Sequence, residues 1–116
     1  MSREPLDALH QRIVASFSAQ SMMMTLGARV VHVADGEVRV EFAHSDRFTQ
    51  QRGFVHAGAI TSIVDSACGY AAMTKVQSAG KSLTVCTGEV RAFVSGAEDY
   101  KVVAIMQATI ATLHPR

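Results

Sequence analysis

Two residues with acid–base side chains, His56 and Asp65, lie nine positions apart in the sequence. His56 belongs to a glycine-containing segment in which residues 50–60 read QQRGFVHAGAI. Asp65 lies in a stretch whose neighbours are nearly all apolar or small. A carboxylate buried among such neighbours is strongly destabilised unless it is paired or protonated. Because perturbed acids concentrate at functional sites, we predict a chemical role for Asp65.

The spacing of His56 and Asp65 argues against an acid–base pair within one chain. If both residues lie on one helix, they are about 13.5 Å apart along its axis. Nine steps around a helix also place them on roughly opposite faces. A two-fold dimer would bring His56 of one subunit near Asp65 of the other. We therefore expect a site at an interface between subunits.

The helix that carries Asp65 is predicted over residues 56–75. Apolar and small side chains cover most of its circumference, which is typical of a helix in the middle of a domain. These side chains are Ala59, Ile60, Ile63, Val64, Ala67, Cys68, Tyr70, Ala71 and Ala72.

The remaining elements are predicted from their hydrophobic periodicity. Residues 5–21 have apolar side chains at helical spacing and predict a surface helix. Residues 28–34 and 37–43 predict a hairpin, because Asp35-Gly36 is a favoured two-residue turn between alternating strands. Residues 82–94 alternate in the same way.

The last element and the order of elements determine the fold class. Residues 100–113 are apolar on both faces, as in a central strand. A buried helix with antiparallel strands before and after it predicts an α+β fold. The length fits a single domain over residues 1–116.

Composition excludes several classes of protein. The formal net charge is +1, aromatic residues make up 6% of the chain, and no basic run occurs, so nucleic acid is not an expected partner. Asp65 and other polar residues interrupt the longest apolar stretch, which argues against a membrane span.

We see no secretory signal, and Cys68 and Cys86 lack the CxxC spacing of metal or redox sites. We therefore expect reduced thiols in a cytoplasmic protein.

Other reactive side chains give no further site. The remaining histidines are scattered and lack the spacing of metal ligands, so we expect them in turns or on the surface. We expect no metal and no cofactor. They are His10, His32, His44 and His114. Neither cysteine has a sequence neighbour that would activate it as a nucleophile. The run Met22 to Met24 is expected to fill the core, with a tunnel for an acyl chain as the alternative.

The segment Gly53-Phe54-Val55-His56-Ala57-Gly58-Ala59-Ile60, followed by Asp65-Ser66-Ala67, resembles the PaaI-like acyl-CoA thioesterases, which have the hotdog fold. Residues 83–90 and 106–109 also resemble this family. The resemblance implies an antiparallel sheet wrapped around the central helix, an acyl-CoA substrate, and a homodimer or homotetramer with active sites shared between subunits.

The resemblance also implies a role for each candidate residue. Asp65 would act as general base or nucleophile on the thioester. The backbone N–H groups of Ala57 and Gly58, at the start of the helix, would stabilise the oxyanion. Gln50 would orient the substrate or water, and His56 would set the geometry of the loop.

The chain differs from this family in the number of predicted strands. The helix ends near Val76 and the next strand begins a few residues later, so four strands are predicted where the family has about six. The expected fold is thus a hotdog with a shortened sheet. We expect an acyl-CoA thioesterase; the alternative is a non-catalytic hotdog module for binding or assembly. The residues around His56 show no extended dehydratase motif.

Overall fold

The computed structural model describes residues 5–79, 83–94 and 96–111. Its elements are the helices α1, α2 and α3, a short 3-10 helix and the strands β1 to β4. Their bounds are α1 Leu6–Ser18, α2 Ser21–Thr25, β1 Arg29–Ala34, β2 Glu37–Glu41, the 3-10 helix Asp46–Phe48, α3 Ala57–Ala79, β3 Leu83–Phe93 and β4 Tyr100–Ala111. His114, residues 112–113 of the predicted last strand and residues 80–82 lie outside the described residues.

The N-terminal helix is shorter than predicted. Leu9, Ile13 and Phe17 repeat every four residues and are fully buried, which confirms the amphipathic pattern. The helix ends at Ser18, and the chain turns before α2, instead of continuing to residue 21. The methionine run forms most of α2, with Met23 in the core and its two neighbours about half exposed. Only one of the three methionines therefore fills the core.

The first hairpin is confirmed. β1 and β2 pair antiparallel around Asp35-Gly36, and Gly36 has a φ of 78°, which favours glycine. The Gly36 N–H donates to Oγ1 of the buried Thr74 at 2.7 Å. Lys75 Nζ lies 2.9 Å from Asp35 Oδ2. These contacts fix the turn of the hairpin against the C-terminal half of α3.

Helix α3 lies at the centre of the molecule. On one side it packs with α1, α2 and the first hairpin around a core of Phe17, Met23, Leu26, Ala28, Ala59 and Ile63. On another side it packs against β3 and β4. The N-terminal half of α3 also presents an exposed stripe that includes Ala57, Thr61 and Asp65. In the single chain, α3 is therefore not buried on all sides.

The second hairpin is long and packs closely on α3. β3 and β4 form an antiparallel ladder from Leu83↔Ala111 to Phe93↔Tyr100, with a bulge in β4 opposite Val90 and Arg91. Gly88 lies directly against Val64, where an added Cβ would overlap the Val64 side chain. The strands predicted over 82–94 and 100–113 are found within a few residues, but the central position predicted for the last strand is wrong, because among the described strands β4 pairs with β3 alone.

The described strands form two separate sheets. β1 pairs with β2 and β3 pairs with β4, and no hydrogen-bonded ladder joins these two hairpins. The expected antiparallel sheet around the helix is thus divided into two hairpins that share α3. Among the helices of the described ranges, none combines the length and apolar character needed to cross a bilayer.

The contact between Gly88 and Val64 gives a test of the packing. Gly88→Ala should lower the free energy of unfolding by about 1–3 kcal/mol, because the buried Val64 is stiff about χ1 and cannot easily yield. Urea denaturation measures this difference. Gly69→Ala is the matched control, since its added Cβ meets no atom of another element within 4 Å in the described part of the chain. That helical substitution should stabilise the protein by about 1 kcal/mol. Equal stability of Gly88→Ala and wild type would contradict the described packing.

Candidate functional site

His56 caps the N-terminus of α3. Its Nδ1 accepts a hydrogen bond from the Gly58 N–H at 2.8 Å, and its carbonyl accepts one from the Ala59 N–H at 3.0 Å. In a neutral ring, an accepting Nδ1 places the proton on Nε2. The imidazole therefore satisfies one of the N–H groups that a helix start leaves without an intrahelical partner.

The turn before His56 is held by its own hydrogen bonds. The Gln50 N–H donates to the Phe54 carbonyl at 2.8 Å, and the Gly53 N–H donates to the Gln50 carbonyl at 3.0 Å. Oε1 of Gln50 accepts from the Arg52 N–H at 2.5 Å. Gly53 has a φ of 85°, a conformation that glycine adopts without strain. Here the Gln50 amide oxygen shapes the turn.

The two predicted oxyanion donors differ in availability. The Gly58 N–H is engaged by His56. Within the described part of the chain, the Ala57 N–H has no hydrogen-bond acceptor and is exposed at the helix start. One of the two donors is therefore open to a ligand in this arrangement.

Asp65 borders an open cavity of about 330 Å³. Its side chain is exposed in the single chain, in contrast to the burial expected from its apolar sequence neighbours. The cavity is lined by Gln20, Asp65, Ser66, Gly69, Tyr70, Met73 and Ile110. It combines a carboxylate with an amide, hydroxyls and an apolar wall.

A hydrogen-bonded network forms the polar side of this cavity. Ser66 Oγ donates to Gln20 Oε1 at 3.2 Å, and Gln20 Nε2 donates to the Tyr70 hydroxyl at 2.8 Å. The Tyr70 hydroxyl also lies 2.8 Å from Ser16 Oγ. The network ties the end of α1 to α3 beside Asp65.

The predicted site residues thus fall into two groups. Gln50, His56, Ala57 and Gly58 lie at or before the start of α3, whereas Asp65 lies at the cavity, about 13.5 Å further along the helix axis. A single chain does not bring the two groups together.

Sequence reasoning missed Gln20, Ser66 and Tyr70. Ser66 and Tyr70 are four residues apart, so they share the helix face beside Asp65, and this spacing was the available signal. Gln20 lies 46 and 50 residues from its two partners, and no local pattern marks such a contact.

The cysteines form a contact between α3 and β3. Cys86 Sγ donates to the Cys68 carbonyl at 3.4 Å. Burial raises the pKa of the Cys68 thiol, and the neighbouring Cys86 and the Asp65 carboxylate raise it further. Cys68 is therefore held as a neutral thiol, which is a poor nucleophile. Among the described residues, no group of three or more His, Cys, Asp or Glu side chains could hold a metal ion.

Comparison with solved structures shows a similarity to a thioesterase family protein. The chain is similar to the crystal structure of a thioesterase family protein from Silicibacter pomeroyi, with 35% sequence identity and a TM-score of 0.57. The match covers 79% of this chain and 66% of that chain, so the chain spans slightly less than two thirds of the length of that protein. No protein-family model and no curated protein matches the chain. The similarity supports a thioesterase-like fold.

The capping role of His56 is testable. His56→Ala removes the acceptor of the Gly58 N–H and should lower the free energy of unfolding by about 0.5–2 kcal/mol in urea denaturation. His56→Asn is the matched variant, because asparagine is among the best N-terminal caps and should retain most of the stability. If the alanine and asparagine variants were equally stable, the hydrogen bond would not contribute as described.

Proposed function

We propose that the chain is a hotdog-fold thioesterase of the PaaI-like type, which hydrolyses an acyl-CoA thioester at a site shared by two subunits. The observation that carries the proposal is the exposed Asp65 at the cavity, between a polar network and an apolar wall. The similarity to a thioesterase family protein at 35% identity supports the same reaction class.

The size of the cavity favours the acyl group as its occupant. Sites for drug-sized ligands have volumes of about 300–1,000 Å³, and the cavity, at about 330 Å³, lies at the low end of that range. Met73 and Ile110 offer apolar contact to an acyl chain, and the Gln20 and Tyr70 groups offer hydrogen bonds. The nucleotide part of an acyl-CoA would then remain outside the cavity.

Asp65 can promote hydrolysis in two ways. As a general base, its carboxylate takes a proton from water while the water oxygen bonds to the thioester carbonyl carbon. As a nucleophile, it bonds to that carbon itself and forms an anhydride that water then cleaves. In both routes the carbon–sulfur bond breaks, and the CoA thiolate leaves and takes up a proton.

The developing oxyanion needs a donor, and the Ala57 N–H can supply one at the start of α3. This donor and Asp65 of the same chain are too far apart along the helix to act on one carbonyl group. A second subunit related by a two-fold axis would place its own helix start beside Asp65. The proposed reaction therefore requires at least a dimer.

A second candidate is a non-catalytic module that binds CoA or a protein partner. The division of the described strands into two hairpins favours it, because a family member would have further strands after the helix. Binding of CoA without turnover of any thioester would support this candidate over the enzyme.

Asp65→Asn tests the proposed reaction. The amide keeps the shape of the side chain but is a poor base, so thiol release from acyl-CoA substrates should fall by about 10²–10⁴-fold in kcat. The assay should cover short and long aliphatic and aryl acyl groups. Asp7→Asn, an exposed acid in the first turn of α1, is the control and should leave the rate within about twofold.

Equal rates for Asp65→Asn and wild type would remove Asp65 from the mechanism. One turnover in ¹⁸O-labelled water separates the two routes, because only the anhydride route can place label in the Asp65 carboxylate.

A further inference from the structure

The two cysteines are reactive side chains that the proposed function leaves unused. Cys68 lies on α3, one turn after Asp65, and Cys86 lies on β3. Cys86 Sγ donates to the Cys68 carbonyl at 3.4 Å, so its thiol lies against the backbone of the other cysteine. Because the chain contains two cysteines, a disulfide within one chain must join these residues.

A close approach of β3 to α3 brings the two cysteines together. Gly88 lies two positions after Cys86, on the same face of the strand, and an added Cβ there would lie 3.8 Å from Cys68 Sγ. Because Gly88 has no side chain, the backbone of the strand comes close to the helix beside Cys68. A disulfide needs Cα atoms about 4.4–6.8 Å apart, a separation that such close contact permits.

The thiols of the two residues also interact with each other. Burial raises the pKa of the Cys68 thiol, and the charge of Cys86 and a side-chain hydrogen bond with Cys86 raise it further. A hydrogen bond between side chains requires neighbouring sulfur atoms. The contact between the residues therefore extends from the backbone to the thiols.

The two thiols differ in their access to reagents. Cys68 is 4% exposed, whereas Cys86 is partly exposed. A small disulfide in solution therefore meets Cys86 first, because reaction requires access to the sulfur. The buried Cys68 reacts only with a group that the protein itself holds beside it, and Cys86 is such a group.

We propose that Cys68 and Cys86 are a redox-responsive pair, which a low-molecular-weight disulfide such as oxidised glutathione converts to an intramolecular disulfide. The Cys86 thiolate bonds to one sulfur of oxidised glutathione, and the first glutathione thiolate leaves. The Cys68 sulfur then bonds to Cys86 Sγ, and the second glutathione thiolate leaves. The protein loses two electrons and two protons, and these reduce oxidised glutathione to two glutathione thiols.

The disulfide joins the two sides of the cavity. Cys68 follows Asp65 on α3. Cys86 pairs with Ala108 of β4, two residues before Ile110 of the apolar cavity wall. The bond therefore fixes this wall relative to Asp65, and a reductant releases it.

Thiol counting and peptide mapping of the whole chain test the pair. Oxidised glutathione should lower the free thiols of reduced wild type from two per chain to none and make the chain lighter by two hydrogen atoms. Trypsin cleaves after Lys75, so the bond should appear as two linked peptides. Two persistent free thiols, two bound glutathiones per chain, or a bond between chains would overturn the proposal.

Single variants test the order of the two steps. Cys68→Ala removes the second sulfur, so Cys86 should retain one bound glutathione in the intact mass. Cys86→Ser is the matched variant, because serine keeps a donor toward the Cys68 carbonyl, and its buried Cys68 should remain a free thiol over the same time. Uptake of glutathione by Cys86→Ser as fast as by Cys68→Ala would contradict the assigned order.

Thermal unfolding measures the effect of the bond on the fold. The bond links residues 18 positions apart, and oxidised wild type should unfold about 10 °C above reduced wild type. Cys86→Ser should have the same midpoint with and without oxidised glutathione. A lower midpoint of wild type after oxidation would show that the folded chain does not accommodate the bond. None of these measurements depends on turnover of a thioester.

Discussion

The fixed rise of α3 is the constraint on which the rest of the structure depends. Both hairpins and α1 pack on this helix, so it cannot bend or slide without disturbing all of them. The helix start, with its available Ala57 N–H, lies a little over two turns from Asp65. Local rearrangement cannot shorten that distance, because every intervening residue is held by the helix. The two halves of the candidate site therefore do not meet within one chain.

Local signals in the sequence predicted most of the elements. The Asp35-Gly36 turn and the alternation around it located the first hairpin, because turn chemistry and period are properties of adjacent residues. The break between α1 and α2 was not predicted, since no glycine or proline marks it. Gln20 lies there, and its amide is bonded to Ser66 and Tyr70 of α3, far along the chain. A tertiary contact of this kind cannot be predicted from the periodicity of neighbouring residues.

For a similar reason, the sequence predicted some features of the candidate site correctly and others not. The sequence predicted His56 as the first residue of a helix, and the structure shows it just before α3 as the cap of that helix. The apolar neighbours of Asp65 indicated burial, yet its side chain is exposed. Neighbours along the sequence of a helix lie on all of its faces, so they do not reveal which face is covered. Coverage of that face depends on other parts of the chain or on another molecule.

The separation of Gln20 and Tyr70 also has a consequence for how the chain folds. Each ladder joins strands that follow one another in sequence, so each can form within a short loop, on the microsecond scale typical of hairpins. The contact of Gln20 with Tyr70 instead closes a loop of 50 residues. The docking of α1 onto α3 therefore carries a larger loop-closure entropy than either ladder, and the polar wall of the cavity forms with it. Local unfolding of α1 would open that wall while leaving both ladders in place.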